Sequence, residues 1–150
     1  MNLDLSYKSA SPNDVEKCYK VLTENRAMLG VSVSMTVDEI LLALIRFPEI
    51  YRMNYMQLEN EVVAMCFTVD IAPHVRYVLY WADNLKFRNL SPTVLLCAKL
   101  IESAQKDQIK ILDLGISSVD GRINQGLHRF KGNLGAIDSI KPTFNLLFQG

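Results

Sequence analysis

The stretch LDLGISSVDGRINQGLHRFKGNLG, Leu112 to Gly135, decides how this chain is read. It begins at the end of an apolar run, Ile109-Lys110-Ile111-Leu112, which breaks at Asp113-Leu114-Gly115. A polar loop follows, Ser117-Ser118-Val119-Asp120-Gly121, and Asn124 to Leu134 then has the spacing of a short amphipathic helix stopped by Gly135. Strand, polar loop and helix in that order gather polar side chains at the mouth of a sheet. In open α/β sheets ligands bind beyond the carboxyl ends of the strands.

Working outward, Leu3 to Lys8 alternates as a first strand. Ser11-Pro12-Asn13-Asp14 has helix-start chemistry, with Ser11 as the expected cap and Val15, Cys18, Tyr19 and Leu22 on one buried face; the pattern fades by Gly30. Thr36-Val37-Asp38-Glu39 is a capping-box signature for a second helix that ends at Phe47, ahead of Pro48. A meander follows. Tyr51–Leu58, Glu61–Asp70 and Val75–Ala82 are its strands, with turns at Glu59-Asn60, where Asn60 is the residue expected in the left-handed region, and at Pro73-His74. After a polar connection, Asp83 to Leu90, Ser91-Pro92 opens a third helix whose apolar residues leave little polar face before Gln105. The strand from Ile109 to Leu114, the central stretch and a β-rich tail from Ala136 to Phe148 complete the order. The expected class is α/β (α+β), with the third helix as a parallel crossover.

Composition narrows the function classes. The 150 residues suit one domain spanning 1–150, and 49% hydrophobic with 21% charged residues is an ordinary globular mixture. A formal net charge of zero gives no broad attraction to DNA or to anionic membrane. The longest apolar run, Ile40 to Ile45, is too short to span a bilayer, and the opening MNLDLSYKSA lacks signal-peptide chemistry, so the expected location is cytoplasmic. Cys18, Cys66 and Cys97 read as reduced core thiols, and no pair has metal-ligand spacing.

The order of elements resembles the GCN5-related N-acetyltransferase (GNAT) fold. Four segments make the likeness closest to the FemAB-like branch: Leu22-Thr23-Glu24-Asn25; Phe47-Pro48-Glu49; Leu112-Asp113-Leu114-Gly115-Ile116-Ser117; and Asn124-Gln125-Gly126-Leu127 with Phe130-Lys131 and Leu134-Gly135-Ala136. Leu114 stands where that branch has an aromatic residue. The resemblance implies a mixed, mostly antiparallel central sheet with helices packed on both faces. It also implies acetyl-CoA as co-substrate, its pyrophosphate at the start of the crossover helix, and a small amine such as an amino sugar or amino acid as acceptor. The glycine-rich loop that most of these enzymes place before the crossover helix is absent; Asn84 to Pro92 contains no glycine.

Each candidate residue carries two readings. Lys86, Arg88, Ser91 and Thr93 either hold the donor's phosphates, favoured by the helix dipole, or are ordinary loop and cap residues. Asp113 either orients or deprotonates the amine, or anchors loop N–H groups from Gly115 to Ser118. Ser117 and Ser118 contact substrate or bond their own turn, and Asn124 contacts substrate or caps the last helix. Lys131 shares a helix face with Leu127 and Leu134; it snorkels to water or carries its charge into a cleft, toward Asp113 or phosphate. His128 reads as exposed. Strand alternation puts Tyr77 and Trp81 on one face and Tyr80 on the other; tyrosine often reprotonates the leaving thiolate in this fold, which makes Tyr80 the candidate acid. The reading from another class is a non-catalytic GNAT-fold module that has lost the donor site, with the apolar tail serving a homodimer or partner interface.

Overall fold

The structure, a computed structural model, describes residues 5–119, 121–142 and 144–148. The expected strand positions Leu3 and Asp4, and Asp120 of the loop, lie outside the described residues. The chain divides into two compact units, residues 1–115 and 116–150.

The first unit is built on a five-stranded sheet in the order β1-β2-β3-β4-β5. Strands β1 (Leu5–Ser9), β2 (Tyr51–Leu58), β3 (Glu61–Ala72) and β4 (Val75–Asp83) pair antiparallel in sequence, and β5 (Ile111–Asp113) adds parallel to β4. Helices α1 (Val15–Met28) and α2 (Val37–Arg46) cover one face, while α3 (Pro92–Lys106) is the crossover on the other. This is the expected mixed, mostly antiparallel architecture with helices on both faces. The core forms in two layers. Val15, Cys18, Leu22 and Ile40 pack on Met53, Met65 and Phe67; Leu96 and Leu100 pack on Met56, Val63, Ala64, Cys66 and Val78. Each Val, Leu, Ile, Phe or Met among them, fully buried, contributes about 1.5–3 kcal/mol. All three cysteines are buried and unbridged, and burial pushes each thiol up to about 12, too high for a nucleophile.

Local chemistry follows the sequence at α2. Thr36 Oγ1 accepts from the Glu39 N–H at 3.2 Å and the Glu39 carboxylate accepts from the Thr36 N–H at 2.7 Å, a complete capping box. At Ser11 the roles are reversed from expectation: the Asp14 carboxylate accepts from the Ser11 N–H at 2.8 Å and from its hydroxyl at 2.6 Å. In the first hairpin the left-handed residue is Glu59 (φ 53°), not Asn60.

Three expectations are corrected. α3 is not buried on most sides: Val94, Leu95 and Ile101 stay exposed, because one stripe, Leu96, Cys97, Leu100 and Ala104, suffices to seat it on the sheet. β5 is shorter than Ile109–Leu114. The Ile109 N–H closes the end of α3 on the Ala104 carbonyl at 2.9 Å, so it cannot join the ladder. The tail is not β-rich. Among the described residues 136–142 and 144–148 there is no strand, Ile137, Ile140 and Phe144 are 88–94% exposed, and Pro142 lacks the N–H a ladder needs.

The second unit contains a two-stranded hairpin, β6 (Ser118–Val119) with β7 (Arg122–Ile123), and α4 (Gln125–Asn133), followed by Gly135 at φ 87°. Among the described residues no helix is long and apolar enough to cross a membrane.

The strongest polar feature of the first unit is Arg76 on β4, 1% exposed. Its guanidinium meets Asp70 of β3 at 2.7 and 3.1 Å and Asp107, the residue ending α3, at 3.0 Å; Arg52 of β2 also meets Asp70 at 2.7 Å. Burial pushes the Asp70 carboxyl up, but Arg76 and Arg52 outweigh it and hold it below the ordinary range. A carboxyl depressed in the folded state stabilises the fold above its unfolded pKa of about 3.9, and that stability is lost as pH falls through the folded value. Stability is therefore expected to fall below about pH 4, with a shallower acid limb in Asp70→Asn. Asp70→Ala, which leaves Arg76 buried with one partner fewer, is expected to cost about 3 kcal/mol in urea unfolding.

Candidate functional site

β4 and β5 pair only where Val75–Tyr77 meet Ile111–Asp113. Beyond Tyr77, β4 runs on to Asp83 with no strand on that side among the described residues. Two parallel strands that part at their carboxyl ends leave a wedge, the position where open sheets hold ligands. A 3-10 turn, Leu85–Leu90, and the N-terminus of α3 follow directly on β4.

The open edge of β4 is shaped by a bulge. Phe67 pairs with Tyr80 but Thr68 with Val78, so Leu79 is an extra residue. The bulge breaks the alternation on which the aromatic assignment rests. Val78 and Trp81 both pack on the α3 side, whereas Leu79 and Tyr80 both pack on the α1–α2 side. Tyr77, next to Val78, therefore falls on the face opposite Trp81, which corrects the shared face expected from period two. Farther along, the Asn84 N–H reaches the Val63 carbonyl across the ladder at 2.9 Å. By antiparallel alternation the main-chain groups of Trp81 and Asp83 then point away from β3, toward the open edge. The end of α1 meets them: Asn25 Nδ2 donates to the Asp83 carbonyl and Arg26 Nη2 to the Trp81 carbonyl, each at 3.2 Å.

The residues expected to bind the donor take different positions. Ser91 precedes α3 in the left-handed conformation (φ 50°, ψ 47°), and its side chain makes no capping bond, unlike the expected cap. In the first turn of α3, Pro92 has no N–H and the Val94 N–H is bonded to the Ser91 carbonyl at 3.0 Å. Thr93 sits in that turn behind Pro92, and Lys86 is exposed on the 3-10 turn with its N–H on Asn84 Oδ1 at 3.2 Å. Arg88 is engaged differently. Its Nε and Nη2 bind the two Asp83 oxygens at 2.8 and 3.0 Å, and this bonding holds the Asp83 carboxyl below its ordinary range against the opposing effect of burial. Phe87 packs on the α3-side core and fixes the turn.

Tyr80 stacks on Phe67, ring centroids 6.4 Å apart and 13° from parallel, and its hydroxyl bonds to Ser34 Oγ in the α1–α2 connection. Asp113 Oδ1 accepts from the Gly115 N–H at 2.8 Å, which is the loop-anchoring geometry. Gly115 is at φ 77°, a conformation that calls for glycine, and a Cβ there would make ordinary contact with the Tyr77 hydroxyl at 3.4 Å.

In the second unit Lys131 is 7% exposed and does not snorkel to water; its ammonium donates to the Ile116 carbonyl at 2.8 Å. Asn124 Oδ1 accepts from the Leu127 N–H at 3.0 Å as the cap of α4. Ser117 takes the Asn124 N–H on its carbonyl at 2.8 Å, and Ser118 lies in β6 opposite Ile123. His128 is paired with Asp138 at 3.1 Å. The site residues are thus distributed: Tyr80, Lys86, Arg88, Ser91, Thr93 and Asp113 in the first unit, and Ser117, Ser118, Asn124 and Lys131 in the second. Sequence reasoning missed Arg26, Ser34 and Asp83. Their signal is faint, because an arginine ending a helix and a serine in a loop are common, and only the folded β4 edge brings them together.

The sequence matches no known family profile and no curated protein. Solved structures do match. An aminoglycoside acetyltransferase from an uncultured soil metagenomic sample, solved in complex with sisomicin, has a TM-score of 0.72 at 12% identity, covering 96% of this chain and 97% of that one. Ribosomal-protein-alanine N-acetyltransferase from Brucella melitensis has a TM-score of 0.72 at 12% identity over 97% and 99% of the two chains. A GNAT family acetyltransferase from Staphylococcus aureus has 0.64 at 13% identity over 95% and 98%. Identities this low speak to backbone architecture alone, and on that level the chain has the fold of the GCN5-related N-acetyltransferases.

Proposed function

We propose that the chain is an acyl-CoA-dependent N-acetyltransferase acting on a small amine, an amino sugar or an amino acid. The observation that carries this is the open edge of β4, followed through one 3-10 turn by an α-helix whose N-cap residue, Ser91, makes no side-chain capping bond. Four N–H groups at a helix start have no partner within the helix, and with the dipole they favour a phosphate. Pro92 has no such donor and the Val94 N–H is bonded to the Ser91 carbonyl at 3.0 Å, so the Thr93 N–H is the first-turn donor on which the reading rests, with Lys86 adding positive charge at the approach. The left-handed Ser91 turns the chain into the helix as a glycine would. These features fit a nucleotide thioester despite the missing glycines.

Acetyl-CoA, when bound, supplies the acyl group as an activated thioester. The Tyr80 hydroxyl, hydrogen-bonded to Ser34 Oγ, is the assigned donor to the leaving sulfur. Asp113 holds the Gly115 loop in shape, and Lys131 does the same for Ile116. The segments 112–117 and 124–136 support assignment to the FemAB-like branch. One observation favours the non-catalytic module: Arg88 is spent on Asp83, so Lys86 is the free cation closest in sequence to the α3 start.

Thermal unfolding with acetyl-CoA, CoA and ATP separates the readings. Acetyl-CoA and CoA at ~100 times their dissociation constants are expected to stabilise the fold by about 2.7 kcal/mol, with ATP doing less. No shift at millimolar ligand would end the donor assignment. In an active enzyme Tyr80→Phe is expected to lower kcat about 100-fold while preserving the acetyl-CoA shift. Lys86→Ala, which removes one exposed charge, is expected to raise KM for acetyl-CoA only about two- to fivefold.

A further inference from the structure

Three arginines of the first unit are not fully exposed: Arg26, Arg52 and Arg76. Arg52 and Arg76 each bind Asp70, and Arg76 also binds Asp107. Even the exposed Arg88 has Asp83. Arg26 has two neutral acceptors instead, Asn25 Oδ1 and the Trp81 carbonyl, both at 3.2 Å. Among the described residues no carboxylate is paired with it. A half-buried guanidinium loses part of its hydration, and neutral carbonyls return less than an anion does.

The helix does not account for this arrangement. A cation in the last turn of a helix can stabilise the free carbonyls there. Here the backbone closes α1 by itself, with the Leu29 and Val31 N–H groups on the Arg26 carbonyl and the Gly30 N–H on the Ala27 carbonyl. The Arg26 side chain turns instead to the open edge of β4. It bonds to the carbonyl of Trp81, the residue after Tyr80, whose hydroxyl is bonded to Ser34. Exposed Met28, Leu29 and Val31 lie along the same connection. The place thus offers a fork of N–H donors, a hydroxyl pair and aliphatic surface.

We infer that Arg26 anchors a carboxylate on the acceptor, so that the amine substrate is an amino acid and not a neutral amino sugar. The inference rests on the acetyltransferase reading of the same cleft and narrows its substrate class. A single guanidinium matches a single carboxylate, and its planar fork binds both oxygens together. A phosphate would call for a second cation, and the nearby Arg88 is held by Asp83.

The test compares N-acetyl amino acids with the corresponding N-acetyl amino acid amides by isothermal titration calorimetry, and free amino acids with their amides in a thiol-release assay with acetyl-CoA. The native protein is expected to favour the carboxylate form about tenfold in Kd and in KM. Arg26→Gln is expected to abolish that preference while leaving the acetyl-CoA thermal shift intact. If Arg26→Gln does not fold, Arg26→Lys decides: it keeps the charge but loses the fork, and the preference should fall several-fold. Equal binding of acids and amides, absence of binding by any carboxylate probe, or a preference that survives both variants would overturn the assignment. Arg26-dependent carboxylate binding without any acetyl-CoA shift would sink the donor reading and leave the anchor standing.

Discussion

Arg76 is the constraint on which the rest of the first unit depends. It sits in the middle of the three-residue parallel ladder, opposite Leu112, with its charge almost wholly out of water. Such a charge is tolerable only if paired and hydrogen-bonded. Asp70 and Asp107 meet that demand, and in doing so they join the end of β3 and the end of α3 to β4. Arg52 brings in β2. One end of the β4–β5 pair is thereby clamped, with the ion pairs partly shielded from solvent and so little screened.

The opposite end is free for the same geometric reason. α3 returns to start β5 next to the clamp, and three residues later Asp113 turns the chain away by accepting the Gly115 N–H. β4 continues alone, and the bulge at Leu79 rotates its later side chains. Tyr80 is thereby delivered to the α1–α2 side and Trp81 to the α3 side. Main-chain groups of the open edge are partly satisfied by Asn25 and Arg26, so the end of α1 becomes part of the wedge. The wedge thus has the start of α3 at one boundary and the Arg26 guanidinium, held by neutral acceptors, at another.

How legible this was depends on how local the determining physics is. The Thr36–Glu39 capping box acts over one helical turn and was readable as written. The crossover helix and the parallel strand after it were also readable, since an apolar helix between two apolar runs has few alternatives. Ser91 misleads because its hydroxyl looks like a cap, while its backbone, following a 3-10 turn, is left-handed and its side chain makes no capping bond. The aromatic faces of β4 mislead because a bulge has no signature in the strand that carries it. The tail misleads because β-propensity measures fit to a neighbouring strand, and none pairs with it among the described residues.

What the sequence determined alone is the order of elements from β1 to β5, the helices on both faces and the positions where α2 and α4 begin, because these rest on periodicity and on bonds spanning three or four residues. The tertiary structure decided which charges are paired. Asp70 finds Arg76, Asp83 finds Arg88, and Arg26 is left with neutral partners. Coulomb attraction is set by distance in space, and Asn25 meets Asp83, Arg26 meets Trp81 and Ser34 meets Tyr80 only when α1 and the connection after it are laid against β4.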